Sequence, residues 1–102
     1  PDMIVGNTIT APGFYAPQGR EIRIPLKYPK LLEELSRYYH KASNLRLTNF
    51  EMETAGYYAM ARLLGHEALS VNAIIANRAL NKFSKDPNKV VDSLIKKVLE
   101  RI

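Results

Sequence analysis

Residues 68–76, ALSVNAIIA, are almost continuously apolar. A strand with one wet face alternates apolar and polar side chains; a strand covered on both faces does not, and such strands are typical of parallel sheets flanked by helices. The run therefore predicts a buried central strand and, with it, a layered α/β domain. The rest of the chain is ordered to match. Residues 3–10, MIVGNTIT, are rich in β-branched side chains and predict another strand. The next ten residues, APGFYAPQGR, hold two Pro and two Gly, which neither continue a strand nor start a helix, so they predict a loop. A short extended piece is expected over 22–28 and a short strand over 45–48.

Three helices fill the gaps. The first is expected to open near Pro29, a residue suited to the first turn. Its apolar positions, Leu31, Leu32, Leu35, Tyr38 and Tyr39, fall on one helical stripe. The second is expected from Thr48 or Asn49 to Gly65, a fitting C-terminal glycine, with Met52, Ala55, Ala59, Met60 and Leu63 inward. The third has Asp86 as N-cap and Pro87 at its first position. Val90, Val91, Leu94, Ile95, Val98, Leu99 and Ile102 make its buried stripe. The order strand, loop, helix, strand, helix, strand, helix argues for an α/β fold built on a layered sheet. There is no internal repeat and no low-complexity linker.

Composition narrows the class. The chain has 102 residues, 46% of them hydrophobic and 25% charged, as in ordinary globular domains. That length allows one domain, which buries about 65% of the surface its unfolded chain exposes. No apolar run reaches the ~18 residues of a membrane span. No charged-then-apolar leader opens the chain, so no secretory signal is expected and the cytoplasm is the expected location. There is no Cys, which excludes disulfides and thiolate metal sites, and two His are too few for most His-rich sites, so no metal is expected. Fifteen Lys and Arg against ten Asp and Glu give a net charge of +5, which suggests an anionic partner without naming it.

Three clusters stand at the ends of expected strands, where ligands of α/β sheets usually bind. The first is Phe14 with Gln18 and Arg20. A Gln amide offers one acceptor and two donors, and an Arg offers a rigid fork of donors. Together they match a planar edge reading acceptor, donor, acceptor, such as the O2, N3–H and O4 edge of uracil, with Phe14 as a stacking face. The plainer reading is a solvated loop with Arg20 on the surface. The second cluster is 49–53, NFEME. Thr48 and Glu51 fit a capping box, so Glu51 needs no function to explain it. Glu53 lies about 200° further around the helix, between positions expected to be buried. A buried carboxylate needs donors. The paired hydroxyls of a sugar supply them, and so does an internal ion pair. The third cluster is Asn77-Arg78, a site candidate or a solvated loop. Met52 and Met60 read as core filler, and His40 and His66 as surface residues. No phosphate-binding glycine loop, dinucleotide fingerprint, zinc-protease helix or nucleophile elbow is present.

The run Asn49-Phe50-Glu51-Met52-Glu53-Thr54 resembles the ribose-binding signature of the nucleoside phosphorylase superfamily. The run Phe14-Tyr15-Ala16-Pro17-Gln18-Gly19-Arg20 resembles the base-recognition loop of its uridine phosphorylase branch, and Ile74-Ile75-Ala76-Asn77-Arg78 resembles that branch's pocket segment. The likeness extends over most of residues 3–102. It implies a three-layer αβα phosphorylase/hydrolase-like sheet, of which residues 1–102 form the C-terminal portion. It implies that Gln18 and Arg20 hydrogen-bond the uracil and that Phe14 packs on it. Ile75 lines the base, and Arg78 lies near its O4. Met52, Glu53 and, with a helix-cap alternative, Glu51 meet the ribose. Arg20, Glu53 and Arg78 are the implied catalytic groups.

The implied reaction is reversible phosphorolysis of uridine to uracil and ribose 1-phosphate, as in pyrimidine salvage, by a pentosyltransferase that works as a homo-oligomer. Phosphate is a co-substrate, no cofactor is expected, and the phosphate-binding motifs of the family do not occur in these residues. The segment Ala79-Leu80-Asn81-Lys82 departs from the Thr-Gly step expected there. The chain is thus expected to carry the nucleoside half-site and to be inactive alone. A purine nucleoside phosphorylase or a nucleosidase of the same superfamily is the alternative. From a different class, the positive charge and six Tyr would suit a small basic nucleic-acid-binding module. Its Lys and Arg are dispersed, however, so no nucleic acid is expected as a partner. Loss of oligonucleotide affinity with added salt would mark that class.

Overall fold

The computed structural model describes residues 2–102. The chain divides into two compact units, one reaching to Ala68 and one spanning Leu69–Ile102. In the first, strand β1 (Asn7–Thr10) leads through the loop and helix α1 (Leu31–Arg37) to strands β2 (Tyr39–His40) and β3 (Leu45–Glu51) and helix α2 (Thr54–Leu64). β3 is central: β1 pairs with it in parallel, and β2 in antiparallel through Tyr39 with Arg46 and His40 with Leu45. A helical crossover between two adjacent parallel strands is the unit from which layered α/β sheets are built. The second unit holds a two-residue hairpin, β4 (Ala76–Asn77) with β5 (Lys82–Phe83), and helix α3 (Pro87–Leu99). The architecture is mixed α/β. Among the described residues no helix is long and apolar enough to cross a membrane.

Several local readings hold. The Pro- and Gly-rich segment is a loop with one 3-10 turn, Ala16–Gln18. Gly65 ends α2 in the left-handed conformation. The Asp86 side chain accepts from Lys89 N at 3.1 Å and Pro87 opens α3. His40 and His66 are exposed.

Others are corrected. α1 stops at Arg37, where Tyr38 turns extended (φ −69°, ψ 134°). Tyr38 and Tyr39 therefore leave its apolar stripe and stay exposed, and Tyr39 joins β2, a role aromatic residues favour. Residues 22–28 form no regular element, and the first strand starts only at Asn7, after Gly6. α2 begins at Thr54, not at Thr48 or Asn49, because pairing with β1 keeps the chain extended through Glu51. The Thr48 hydroxyl does not cap the helix: it lies between two acceptors, Asn49 Oδ1 at 3.0 Å and the Asn7 carbonyl at 3.2 Å. With the helix start moved, Met52, Met60 and Leu63 are exposed rather than inward.

The apolar run 68–76 forms no strand before Ala76. A doubly covered strand needs neighbours on both sides, and among the described residues no strand runs beside 69–74; the Ile75 carbonyl only extends the β4–β5 hairpin, accepting from Ser84 N. Leu69 (83%) and Ile74 (55%) are accordingly exposed. In α3, Val90, Val91, Leu94 and Val98 are half-buried, while Ile95 and Leu99, with Ile102 beyond its end, are exposed.

Burial concentrates at one place. Ala11 (5%), Gln18 (6%) and Thr54 (4%) are the buried residues among those described. They follow the carboxyl ends of β1 and β3.

Candidate functional site

β1 and β3 are adjacent and parallel, with Thr10 opposite Glu51. Their following segments, 11–20 and 52–53, therefore leave the sheet at the same edge, the one where α/β folds bind ligands. Ala11 N donates to the Glu51 carbonyl at 2.9 Å and carries the pairing one residue past β1.

The loop after β1 is folded on itself. Gln18 N and Arg20 N both donate to the Tyr15 carbonyl, at 3.0 and 2.9 Å. Gly19 adopts φ +71°, a left-handed conformation that reverses the chain between the two side chains. A Cβ there would also sit 3.2 Å from Leu32 Cγ on α1. Gly19→Ala is therefore expected to destabilise the loop by ~1–2 kcal/mol, the cost of left-handed backbone in a residue with a Cβ. A lowered urea midpoint with α1 intact by circular dichroism is the measurement.

This turn brings the first cluster together. Arg20 Nη1 donates to the Gln18 side-chain oxygen and to the Phe14 carbonyl, each at 2.6 Å. The Arg20 guanidinium lies 3.8 Å from the centre of the Phe14 ring, and Tyr15 meets that ring edge-on at 5.4 Å. The pair expected to read a planar edge is thus pre-assembled. Arg20 Nη1 thus occupies an acceptor position of the Gln18 oxygen, while Arg20 Nη2 and Nε have no partner among the described residues. Phe14 offers one face to Arg20, which limits its stacking surface to the other.

The second cluster is rearranged. Asn49, Phe50 and Glu51 end β3, Met52 lies in the link, and Glu53 is the N-cap residue of α2. Glu53 is exposed, not buried, and its carboxylate has no hydrogen-bond or ion-pair partner among the described residues. The internal ion pair is absent there.

Glu51 is the constrained acid. Its Oε1 accepts the Thr10 hydroxyl; its Oε2 accepts Glu53 N at 2.8 Å and Thr54 N at 2.6 Å. Partial desolvation alone would raise its pKa. The Thr10 hydroxyl, the Thr54 N–H and hydroxyl and the Glu53 N–H outweigh that, lowering the value from 4.5 to about 2. A folded-state pKa below the unfolded one stabilises above the unfolded value, and the stabilisation is lost as pH falls through the folded value. The β3–α2 link is thus expected to hold down to pH ~4.5 and to loosen towards pH 2. The amide shifts of Glu53 and Thr54 should inflect near pH 2; an inflection at 4.5 would show an ordinary carboxyl.

The third cluster belongs to the second unit. Arg78 and Asn77 sit at the hairpin turn rather than at the end of a long strand, with Asn77 Oδ1 accepting from Leu80 N at 3.1 Å. The Ile75 carbonyl accepts from Ser84 N at 2.7 Å, and Ile75 is exposed. Among the described residues no three His, Asp or Glu side chains gather as a metal site. Sequence reasoning passed over Thr10; a hydroxyl at a strand end carries no signal until the strand opposite is known.

A helical crossover joining two parallel strands, with an Arg–Gln–Phe cluster and a free acid following the same edge, is the kind of arrangement found in enzymes that grip a small polar ligand. The comparison makes the likeness particular. Over 85 residues the chain is 36% identical to the uridine phosphorylase of Thermococcus kodakarensis, covering 83% of this chain and 29% of that one. The resemblance to uridine phosphorylase thus rests on 85 residues of the chain and not only on its motifs. The chain spans less than a third of that relative's length. No family model matches the chain, and no solved structure matches it.

Proposed function

We propose that this chain is the C-terminal portion of a uridine phosphorylase and carries the nucleoside half of its site, within a three-layer αβα sheet completed by the rest of the domain. Gln18 and Arg20 hold the uracil edge, and Phe14 packs on the base. Met52 and Glu53 hold the ribose. The observation that carries the reading is the pre-formed Arg20–Gln18–Phe14 cluster, on the same sheet edge as the unpartnered Glu53.

The chemistry is coherent. Cleaving the glycosidic bond builds positive charge on the ribose and negative charge on the departing uracil. Donors at the uracil oxygens stabilise the leaving anion, and a carboxylate at the sugar holds its hydroxyls and faces the growing positive charge. Phosphate attacks the sugar carbon and takes the place of the base. The first amides of α2 are already committed to Glu51 and Thr10, so that helix end is not the phosphate site. Phosphate binding falls to the remainder of the enzyme, and the isolated chain is expected to be inactive.

The test is base discrimination. Uridine titrated into the chain should shift the Arg20 Nε–H and Gln18 amide resonances. Cytidine, which has an acceptor at N3 and a donor at position 4, should leave them in place, because a site built for one donor pattern rejects the other. Equal shifts with inosine would favour the purine alternative, and no shift with any nucleoside would remove the reading.

A further inference from the structure

Thr10 ends β1 and its hydroxyl serves two other elements. It donates to Glu51 Oε1 at the end of β3, and it accepts from Ala55 N in the first turn of α2 at 2.9 Å. The Ala55 N–H fixes the sense of the bond: with one lone pair taken from that side, the hydroxyl proton points to the carboxylate. Glu51 in turn takes the N–H groups of Glu53 and Thr54. Three amide donors at the start of α2, those of Glu53, Thr54 and Ala55, are therefore satisfied by the two parallel strands and by no cap of the helix itself. The Glu53 side chain makes no cap hydrogen bond.

The accounting decides which acid is available. An ionised carboxylate has about four acceptor positions. At Glu51 they face the Thr10 hydroxyl, the Thr54 hydroxyl and the two amides. At Glu53 no partner is found among the described residues. We propose that Thr10 and Glu51 are a positioning pair: the Thr10 hydroxyl holds Glu51 across the first turn of α2, so that Glu53 alone is free to take the ribose hydroxyls, and Glu51 does not touch the sugar. The sugar half of this proposal rests on the nucleoside reading above; the pair itself does not. Because Thr10 also begins the loop that carries Gln18 and Arg20, one hydroxyl ties the base-reading loop to the start of the ribose-binding helix.

The experiment compares the 102-residue chain with its Thr10→Val and Thr10→Ser variants. Val keeps the shape and deletes the hydroxyl; Ser keeps the hydroxyl. Carboxyl carbon resonances of Glu51 and Glu53 are followed against pH and against added uridine. In the parent chain the Glu51 midpoint should lie near 2; a midpoint at its ordinary 4.5 overturns the pair even if no variant folds. Thr10→Val should move the midpoint up by about one unit and weaken uridine by about 3- to 10-fold, the effect of one lost hydrogen bond. Thr10→Ser should restore both. Saturating uridine should move the Glu53 carboxyl and leave that of Glu51; equal movement of both overturns the proposal. If uridine binds nowhere while the Glu51 midpoint still depends on Thr10, the nucleoside reading fails and the sugar half with it, and the brace is upheld.

Discussion

Arg20→Ala is expected to lower phosphorolysis of uridine about 10²-fold, the loss seen when one donor to a developing oxyanion is removed. The assay needs a complete enzyme, which is made by exchanging the matching 85-residue segment of the Thermococcus kodakarensis relative for that of this chain. Two effects add. In the proposed site Arg20 supplies fork donors to the leaving uracil, and the same guanidinium pins the Gln18 amide oxygen and the Phe14 carbonyl at 2.6 Å. Removing it takes the guanidinium from the Gln18 oxygen and uncovers a face of Phe14, so binding and turnover should both suffer. Arg20→Lys should recover little, because an ammonium is a point donor without a planar fork and cannot both anchor the loop and reach the base. An unchanged kcat/KM in Arg20→Ala would take the residue out of the site. Phe14→Ala should cost less than Arg20→Ala, since Phe14 lends one ring face to the cation and at most the other to the base.

The sequence spoke most clearly where local chemistry decides. Two Pro and two Gly force the loop of 11–20, and within it Gln18, Gly19 and Arg20 come together as their spacing suggested. Asp86-Pro87 and Gly65 mark helix ends that depend on adjacent residues only. It misled where a distant partner decides. Thr48 and Glu51 read as a capping box, but β1 lies forty-one residues away from β3 in register and draws Asn49, Phe50 and Glu51 into the sheet. That displacement changed the phase of α2, and it is why Glu53 is exposed instead of facing a core. Glu51 still serves the helix, as the cap of a start three residues later. The run 68–76 shows the same limit from the other side. Its apolar pattern states what would cover it, not whether a covering layer is at hand, and in this chain Leu69 and Ile74 remain open to solvent.

The two acids should separate cleanly on substitution. In the exchanged enzyme, Glu53→Gln is expected to cut uridine phosphorolysis by ~10²-fold or more, because the paired ribose hydroxyls lose charge-assisted hydrogen bonds worth ~1.5–3 kcal/mol each. The loss should be smaller for 2′-deoxyuridine, which has one hydroxyl fewer to lose. Stability should not change, since the Glu53 carboxylate has no partner among the described residues and leaves no donor stranded when it is neutralised. Glu51→Gln should do the reverse. It replaces an acceptor-only carboxylate by an amide whose NH2 must face one of the donors now pointing at Glu51, two of them backbone amides. The unfolding midpoint should fall, and the rate should drop only as far as Glu53 loses its position. A rate left intact by Glu53→Gln, with the loss appearing in Glu51→Gln at unchanged stability, would exchange the two roles and place the ribose on Glu51.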